Sequence, residues 1–574
     1  MNPRRIATST TASAIAIALI AMALHGDALW GGWQYDDGAH LYFVAQYSPL
    51  QYFTDPTVMY AQSCANITPW NPLFYHLGMS LFGLNAAGHY AHLVLTIALT
   101  AFATYVFLKR YVDPGTALVG ATLYLAAPPT AAISHMLMTG HYAYGLLFSV
   151  ACVHLYAGAI ERDSVSRGVA AAGCYGLACL CKELYVPLAL VLVAWPGPTV
   201  RARARLASPV IVVALGYVAL RVLVMGGFGG PASMMHYGLF PQDAGGLPHL
   251  RVLARISVGA VLGLEAHLFG VGITGWTALA VALAIVVRGR ARRCSAWFAV
   301  AVLAVLGLPL LPQHQGLVIV DKSQSRVLYL ACWALSAALA WKLHDRPRGA
   351  AIALALAALW AIGQRATVEG VDGPQRAMAA QNRFLVESAG GGYLLPHEPH
   401  AFKDLGYLDS MARAVHYWSG RPRTTILMDE EELVALGDER GREVWTLVPD
   451  RMELRQLGAS YAARVADFRD RVARGAGRRL DVELRLEVRP KYKVVRWRLT
   501  GDPGRTTMIV REVCALEVPS EGEHPFEPEA VVLVPHGLHI RFVRVLPDGA
   551  MVRSPVLELA VTHTHTVRWS SPDD

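Results

Sequence analysis

Apolar residues in this chain gather in runs long enough to cross a bilayer, and short polar blocks separate the runs through the first two thirds. A helix rises about 1.5 Å per residue, so about 20 apolar residues cross a hydrocarbon core of about 30 Å. By this pattern spans are predicted near 11–29, 88–108, 116–134, 141–160, 168–181, 184–200, 207–225, 269–287, 295–312, 325–342 and 349–364. The first follows Arg4 and Arg5, a start that also suits a cleaved signal peptide. Its apolar part runs straight into Trp30 and Trp33, however, and aromatic residues of this kind anchor a span at the interface. Eleven spans are therefore expected, with a first outer loop over 30–87 and with 250–268 interfacial or re-entrant.

After Gly363 the pattern changes: charges of both signs and several prolines appear, and no later run is long enough to cross. Residues 366–574 are expected to form an extramembrane domain large enough to bury its own core. Helices are predicted near Lys403 to Tyr417 and Ser460 to Ala473, with a strand at Thr424 to Met428. Apolar and polar residues then alternate over Leu480 to Leu486 and Val494 to Leu499. Further β-branched runs follow near 508–513, 530–534, 540–545 and 556–569, separated by Gly and Pro. The expected fold class is thus a polytopic α-helical membrane protein of about eleven spans, residues 1–365, followed by an α+β domain whose second half is β-sandwich-like. No internal repeat is visible.

Composition agrees: of 574 residues, 54% are hydrophobic and only 16% charged, too apolar for an ordinary soluble domain. The net charge of +8 could suggest nucleic acid. The basic blocks Lys109-Arg110, Arg162 with Arg167, Arg201-Arg203-Arg205, Arg288-Arg290-Arg292-Arg293 and Lys342-Arg346-Arg348 all fall on one side of an eleven-span chain, which is the cytoplasmic side by the positive-inside rule. Nucleic acid is therefore not an expected partner. The expected location is a bacterial inner (cytoplasmic) membrane, with the C-terminal domain on the periplasmic face. A reporter active only in the periplasm, fused after Asp574, should then be active; signal from a cytoplasm-only reporter would invert this topology. Of the eight cysteines, Cys64 and Cys514 lie clearly outside the spans on the outer side, with neither a close partner nor metal-type spacing.

Several polar residues now fall at one interface. Asp36 and Asp37 emerge directly after the first span, where water reaches a carboxylate and it can act as a general base. Lys182-Glu183 sits at the turn of a tight hairpin, Arg221 at the outer end of its span, and Arg326, close to Lys322, opens the next-to-last one. His135 and His141 flank another outer turn. Taken singly, each has a structural alternative: a helix cap, mutual pairing, a snorkelling cation, a hydrogen-bonded histidine. Taken together, two carboxylates and several cations suit the transfer of a sugar from a polyprenyl phosphate. That reaction needs a base for the acceptor hydroxyl and cations where charge develops on the departing phosphate.

The run Thr68-Pro69-Trp70-Asn71-Pro72-Leu73, then Leu81-Phe82-Gly83-Leu84-Asn85, Gly88-His89-Tyr90, Pro129 with Gly140-His141, Cys181-Lys182-Glu183, Arg221 and Ser325-Arg326-Val327-Leu328-Tyr329-Leu330 resembles the membrane part of GT-C glycosyltransferases. Over about residues 30–340 it is most similar to transmembrane and TPR-containing O-mannosyltransferases, with protein O-mannosyltransferases and lipid A aminoarabinose transferases as more distant kin. The resemblance implies inverting transfer from a polyprenyl-phosphate-linked sugar to a hydroxyl of a protein, glycan or lipid. It points to Asp36 as base with Asp37 supporting it, and to Lys182, Arg221, Arg326 and Tyr329 at the donor phosphate. Glu183, His135, His141 and Trp70 are candidate substrate-binding residues. Two departures stand out. Ile133 and His141 occupy places where these relatives carry an acidic residue and an arginine, and residues 366–574 lack a 34-residue helical period. A transporter or flippase of lipid-linked sugars, or a noncatalytic envelope assembly protein, are the alternative classes. An Asp-Asp pair can hold a divalent ion, but no second ligand set is visible, so neither a metal nor another cofactor is expected.

Overall fold

The computed structural model describes residues 10–63, 66–193, 195, 199–225, 326, 329–344, 348–396, 404–427, 429–448, 450–488, 493–502, 504–510, 514–518, 529–532, 538–559 and 565–571. The expected spans at 269–287 and 295–312, the stretch 250–268, Lys322 and the Arg288 to Arg293 block lie outside the described residues. Two compact units emerge: Met1–Gly31 with Tyr47–Pro374, and Gly32–Gln46 with Gln375–Asp574. A short segment of the loop after the first helix thus belongs to the same unit as the C-terminal region.

The helices of the first unit are α1 (Thr10–His25), then, beyond α2 (Asp37–Gln46) of the second unit, α3 (Pro49–Thr54), α4 (Pro56–Gln62), α5 (Trp70–Phe82), α6 (Ala86–Leu108), α7 (Pro114–Ala126) and α8 (Pro128–Ser134). They continue with α9 (Gly140–Arg162), α10 (Val165–Cys181), α11 (Leu188–Val193) and α12 (Val200–Met225), followed by α13 (Tyr329–Leu343) and α14 (Gly349–Asp372). Among the described residues, five segments are long and apolar enough to cross a membrane: Thr10–Trp30, Ala86–Leu108, Leu137–Arg162, Arg201–Met225 and Gly349–Asp372. The pair α7 and α8 makes a sixth if counted as one span. The runs at 168–181, 184–200 and 325–342 carry shorter apolar helices. Leu19, Leu95, Leu99, Leu215, Leu223 and Ile362 are exposed on these helices, as a lipid-facing surface requires.

The expected unbroken span over 116–134 is bent by 59° between α7 and α8. Pro128 and Pro129 explain the break, because neither has an N–H to give to the preceding turn. The freed carbonyls find other donors: Thr130 Oγ1 to Tyr124 O (2.8 Å), His25 Nε2 to Leu125 O (3.0 Å), and Gln364 Nε2 to Leu125 O (2.6 Å) and Ala127 O (3.4 Å). Within an apolar surround such capping is obligatory. Asp113 caps the start of α7, accepting from the backbone N–H groups of Gly115 and Thr116. At one end of the bundle Arg110 pairs with Glu161 (2.8 Å) and Arg205 with Asp163. Three of the expected basic linkers therefore meet at a common end, opposite the end of α9 that begins at Gly140.

The second unit opens with α2 and continues with α15 (Arg376–Glu387), α16 (Asp404–Ser419), α17 (Glu430–Ala435), α18 (Gly437–Arg442) and α19 (Ser460–Arg474). Four strands, β1 (Tyr393–Leu395), β2 (Thr425–Ile426), β3 (Trp445–Val448) and β4 (Glu453–Gln456), form a sheet in the order β2-β1-β3-β4, parallel except at β3 and β4. Two further sheets follow. One is built from β7 (Arg505–Val510), β8 (Cys514–Val518), β10 (Leu538–Val545), β11 (Met551–Arg553) and β12 (Leu557–Leu559). The other has the order β13-β5-β6-β9, with β5 (Leu480–Val488), β6 (Lys493–Gly501), β9 (Glu529–Val532) and β13 (His565–Ser570). Alternate residues of β5 and β6 turn inward, so Leu480, Val482, Leu484, Leu486, Trp497 and Leu499 share one core with Ile540, Phe542 and Leu557 of the other sheet.

Candidate functional site

The acid pair lies at the start of α2, in the second unit. Tyr35 has φ +47°, a left-handed conformation that costs a non-glycine residue roughly 1–2 kcal/mol. This turn sets the two carboxylates on different tasks. Asp37 is 1% exposed, and its Oδ2 accepts from the Gln34 backbone N–H at 2.6 Å, closing the turn on itself. Asp36 has a side chain 32% exposed, and its Oδ2 lies 3.4 Å from His40 Nε2 one helical turn on. Burial opposes a charge on His40, but Asp36 and then Asp37 outweigh it and raise the imidazole above its usual range. His40 was not among the residues read from the sequence. The signal was present, because a carboxylate and a histidine four apart share one face of a helix. Asp36 can accept a proton from an approaching hydroxyl, whereas Asp37 is committed to the backbone.

In the first unit, Glu183 draws in two of the expected phosphate-binding cations. Arg221 Nη1 is 2.5 Å from Glu183 Oε1, and Lys182 Nζ is 3.5 Å from Glu183 Oε2. The mutual pairing considered for Lys182 and Glu183 is thus present, extended by an arginine from α12, and the group keeps a net single positive charge. Lys182 Nζ also sits 5.8 Å from the centre of the Tyr142 ring, whose neighbour His141 is buried. Tyr185 ties the hairpin turn to this place by donating to Tyr142 O at 2.6 Å. Arg326 is half-buried, its Nη1 4.0 Å from Met136 Sδ. Tyr329 is fully buried and its hydroxyl bonds that of Tyr124. Trp70 stacks on Tyr144 (centroids 5.5 Å apart) and packs on Phe148 (5.0 Å), while Tyr144 bonds His92 at 2.5 Å.

His135 belongs to a different group. Its Nδ1 is 2.9 Å from Asp372 Oδ2 and its Nε2 3.3 Å from Asp27 Oδ1, joining the turn after α1, the turn after α8 and the end of α14. Burial works against its charge, but the hydrogen bonds it donates to Asp27 and Asp372, with their negative charges, prevail and raise its pKa to about 9. Its unfolded value is near 6.5. The imidazolium is therefore held more tightly in the fold than in the unfolded chain. This stabilisation is complete below pH 6.5 and is lost as pH rises through 9. The difference amounts to at most about 3 kcal/mol. The melting temperature of the detergent-solubilised protein should fall across that window, and His135→Gln should flatten the fall; an unchanged slope in the variant would remove His135 as its cause. Among the described residues, no three His, Cys, Asp or Glu side chains are grouped to hold a metal ion.

No protein-family model matches the sequence, and a search of curated proteins found no match. Among solved structures the chain is similar to the Archaeoglobus fulgidus oligosaccharyltransferase in complex with zinc and sulfate, at 13% identity and a TM-score of 0.39 over 72% of this chain and 62% of that one. The match thus spans less than two thirds of the archaeal protein. It is also similar to ArnT from Cupriavidus metallidurans bound to undecaprenyl phosphate, at 12% identity and a TM-score of 0.39 over 75% of this chain and 88% of that one. For ArnT in the apo state the figures are 14% and 0.39, over 77% and 92%. With TM-scores below 0.5, the functional reading stands on this chain's own residues.

Proposed function

We propose that the protein is a membrane glycosyltransferase that moves a sugar from a polyprenyl phosphate to a hydroxyl of an extracytoplasmic protein, glycan or lipid, with inversion. The observation that carries this reading is the division of labour at the acid pair: Asp36 is reachable and faces His40, while Asp37 is buried and fixes the turn. In the reaction the acceptor hydroxyl gives its proton to Asp36 as its oxygen bonds the anomeric carbon. The bond from that carbon to the phosphate oxygen breaks, and the phosphate leaves with the electron pair. Arg326 and the Lys182, Glu183, Arg221 group supply positive charge suited to the phosphate, before and after the bond breaks. The proton on Asp36 can leave to water, to which its side chain is partly open. No step needs a metal.

Transporters build sites at broken helices, and the α7 to α8 bend is such a break. Here the carbonyls of Tyr124, Leu125 and Ala127 already accept from this chain's own side chains, which leaves them poorly placed to hold an ion. Purified protein, polyprenyl phosphate carrying a radiolabelled sugar, and envelope extract as acceptor source test the proposal. Label should move from lipid to an acceptor fraction; a donor left intact after prolonged incubation would count against transfer.

A further inference from the structure

We infer that the C-terminal region of the second unit is the mount of the acid loop: α15 and α16 set the direction of Asp36, so their anchor residues act as positioning residues for the base. The inference rests on the assignment of Asp36 as that base.

Anchors lie on both sides of Asp36. Before it, Asn382 Nδ2 donates to Trp33 O at 2.9 Å, with both residues buried, and Gln375 Oε1 accepts from Tyr35 N–H at 3.3 Å. The second bond falls on the residue with φ +47°, so a strained turn is held by a side chain far along the chain. After it, Trp418 Nε1 donates to Leu41 O at 3.1 Å, and the Arg413 guanidinium lies 5.9 Å from the centre of the Tyr42 ring. Gly38 meets α16 with no room for a side chain: a Cβ there would be 2.7 Å from Met411 N and 2.8 Å from Met411 Cα. Backbone atoms set that distance, so trimming Met411 would not relieve it. Four of these five contacts hold the loop backbone itself, and they fix its path from Trp33 to Leu41. Asp36 lies one residue from Tyr35, two from Gly38 and three from Trp33, so its carboxylate inherits that orientation. Such control is what a general base requires, since a displacement of about 1 Å can cost roughly 100-fold in rate.

The test compares Trp418→Phe, which keeps an aromatic ring and loses the donor, with Gly38→Val, which forces the loop off α16. We expect kcat to fall roughly 10-fold in the first and roughly 100-fold in the second. Binding of a nonreactive polyprenyl-phosphate analogue should stay within about twofold of the parent, because none of the anchors is among the residues assigned to the donor phosphate. Should Gly38→Val yield no folded protein, Trp418→Phe decides the matter, provided that its melting temperature matches the parent's. Asp36→Asn in the same assay separates the two ideas. If it is inactive while Trp418→Phe and every folded Gly38→Val sample turn over like the parent, the positioning role is wrong and the base assignment stands. If Asp36→Asn turns over like the parent, the base assignment fails and takes this inference with it. Parallel losses of kcat, analogue binding and melting temperature would reduce the anchors to general fold support and overturn the inference.

Discussion

Asp36→Asn should lower turnover by about 10² to 10⁴-fold, which is about 2.7 to 5.5 kcal/mol of barrier, while the protein still folds and binds its donor. Asparagine keeps the size of the side chain and loses its basicity. It also removes a charge that raises the His40 imidazole above its usual range, and because an amide gains no basicity with pH the loss should not recover as pH rises. Asp37→Asn should act differently. Its carboxylate accepts from the Gln34 backbone inside the turn, so its replacement weakens a structural bond of about 1 kcal/mol and moves the loop before it touches any proton. Equal turnover in the parent and Asp36→Asn would return Asp36 to a helix-capping role.

Arg326→Ala should abolish nearly all activity and weaken binding of a nonreactive polyprenyl-phosphate analogue. A charge-assisted hydrogen bond is worth about 1.5 to 3 kcal/mol, equivalent to roughly 10- to 150-fold in affinity. Arg326→Lys is the sharper probe, because lysine keeps the charge and loses the planar fork that grips two phosphate oxygens. A small residual activity is expected there. Among the described residues Arg326 Nη1 contacts Met136 Sδ, whereas Arg221 and Lys182 are engaged by Glu183. Unchanged analogue binding in Arg326→Ala would make this arginine an interfacial anchor, and the phosphate would then be sought at the Glu183 group.

How far the sequence could be read depended on the range of the interaction. The runs at 88–108 and 141–160 correspond closely to Ala86–Leu108 and Leu137–Arg162, because hydrophobic length is a local property. The alternation over Leu480 to Leu486 likewise became β5, with its apolar residues inward. The bend at Ala127 was missed although Pro128 and Pro129 announce it, since a hydropathy sum counts proline as a mild residue and ignores its missing N–H. The attachment of residues 32–46 to the C-terminal region could not be read at all. It depends on pairs such as Tyr35 with Gln375 and Asn382 with Trp33, separated by 340 and 349 positions, and no local periodicity records them. The candidate cations show an intermediate case. Glu183 beside Lys182 is visible in the sequence, but the arrival of Arg221 from 38 positions away is a product of the helix packing.

The most direct measurement of the central claim follows two fates of one labelled lipid. Vesicles containing the purified protein are given polyprenyl phosphate bearing a radiolabelled sugar in one leaflet and an acceptor extract on the same side. Sugar released from the lipid and intact lipid reaching the opposite leaflet are then counted separately. Transfer by the proposed chemistry predicts that label leaves the lipid in vesicles with the parent protein and stays on it with Asp36→Asn, with no protein-dependent crossing of intact donor in either. Protein-dependent crossing of the intact donor without cleavage, or equal release by the parent and Asp36→Asn, would contradict it.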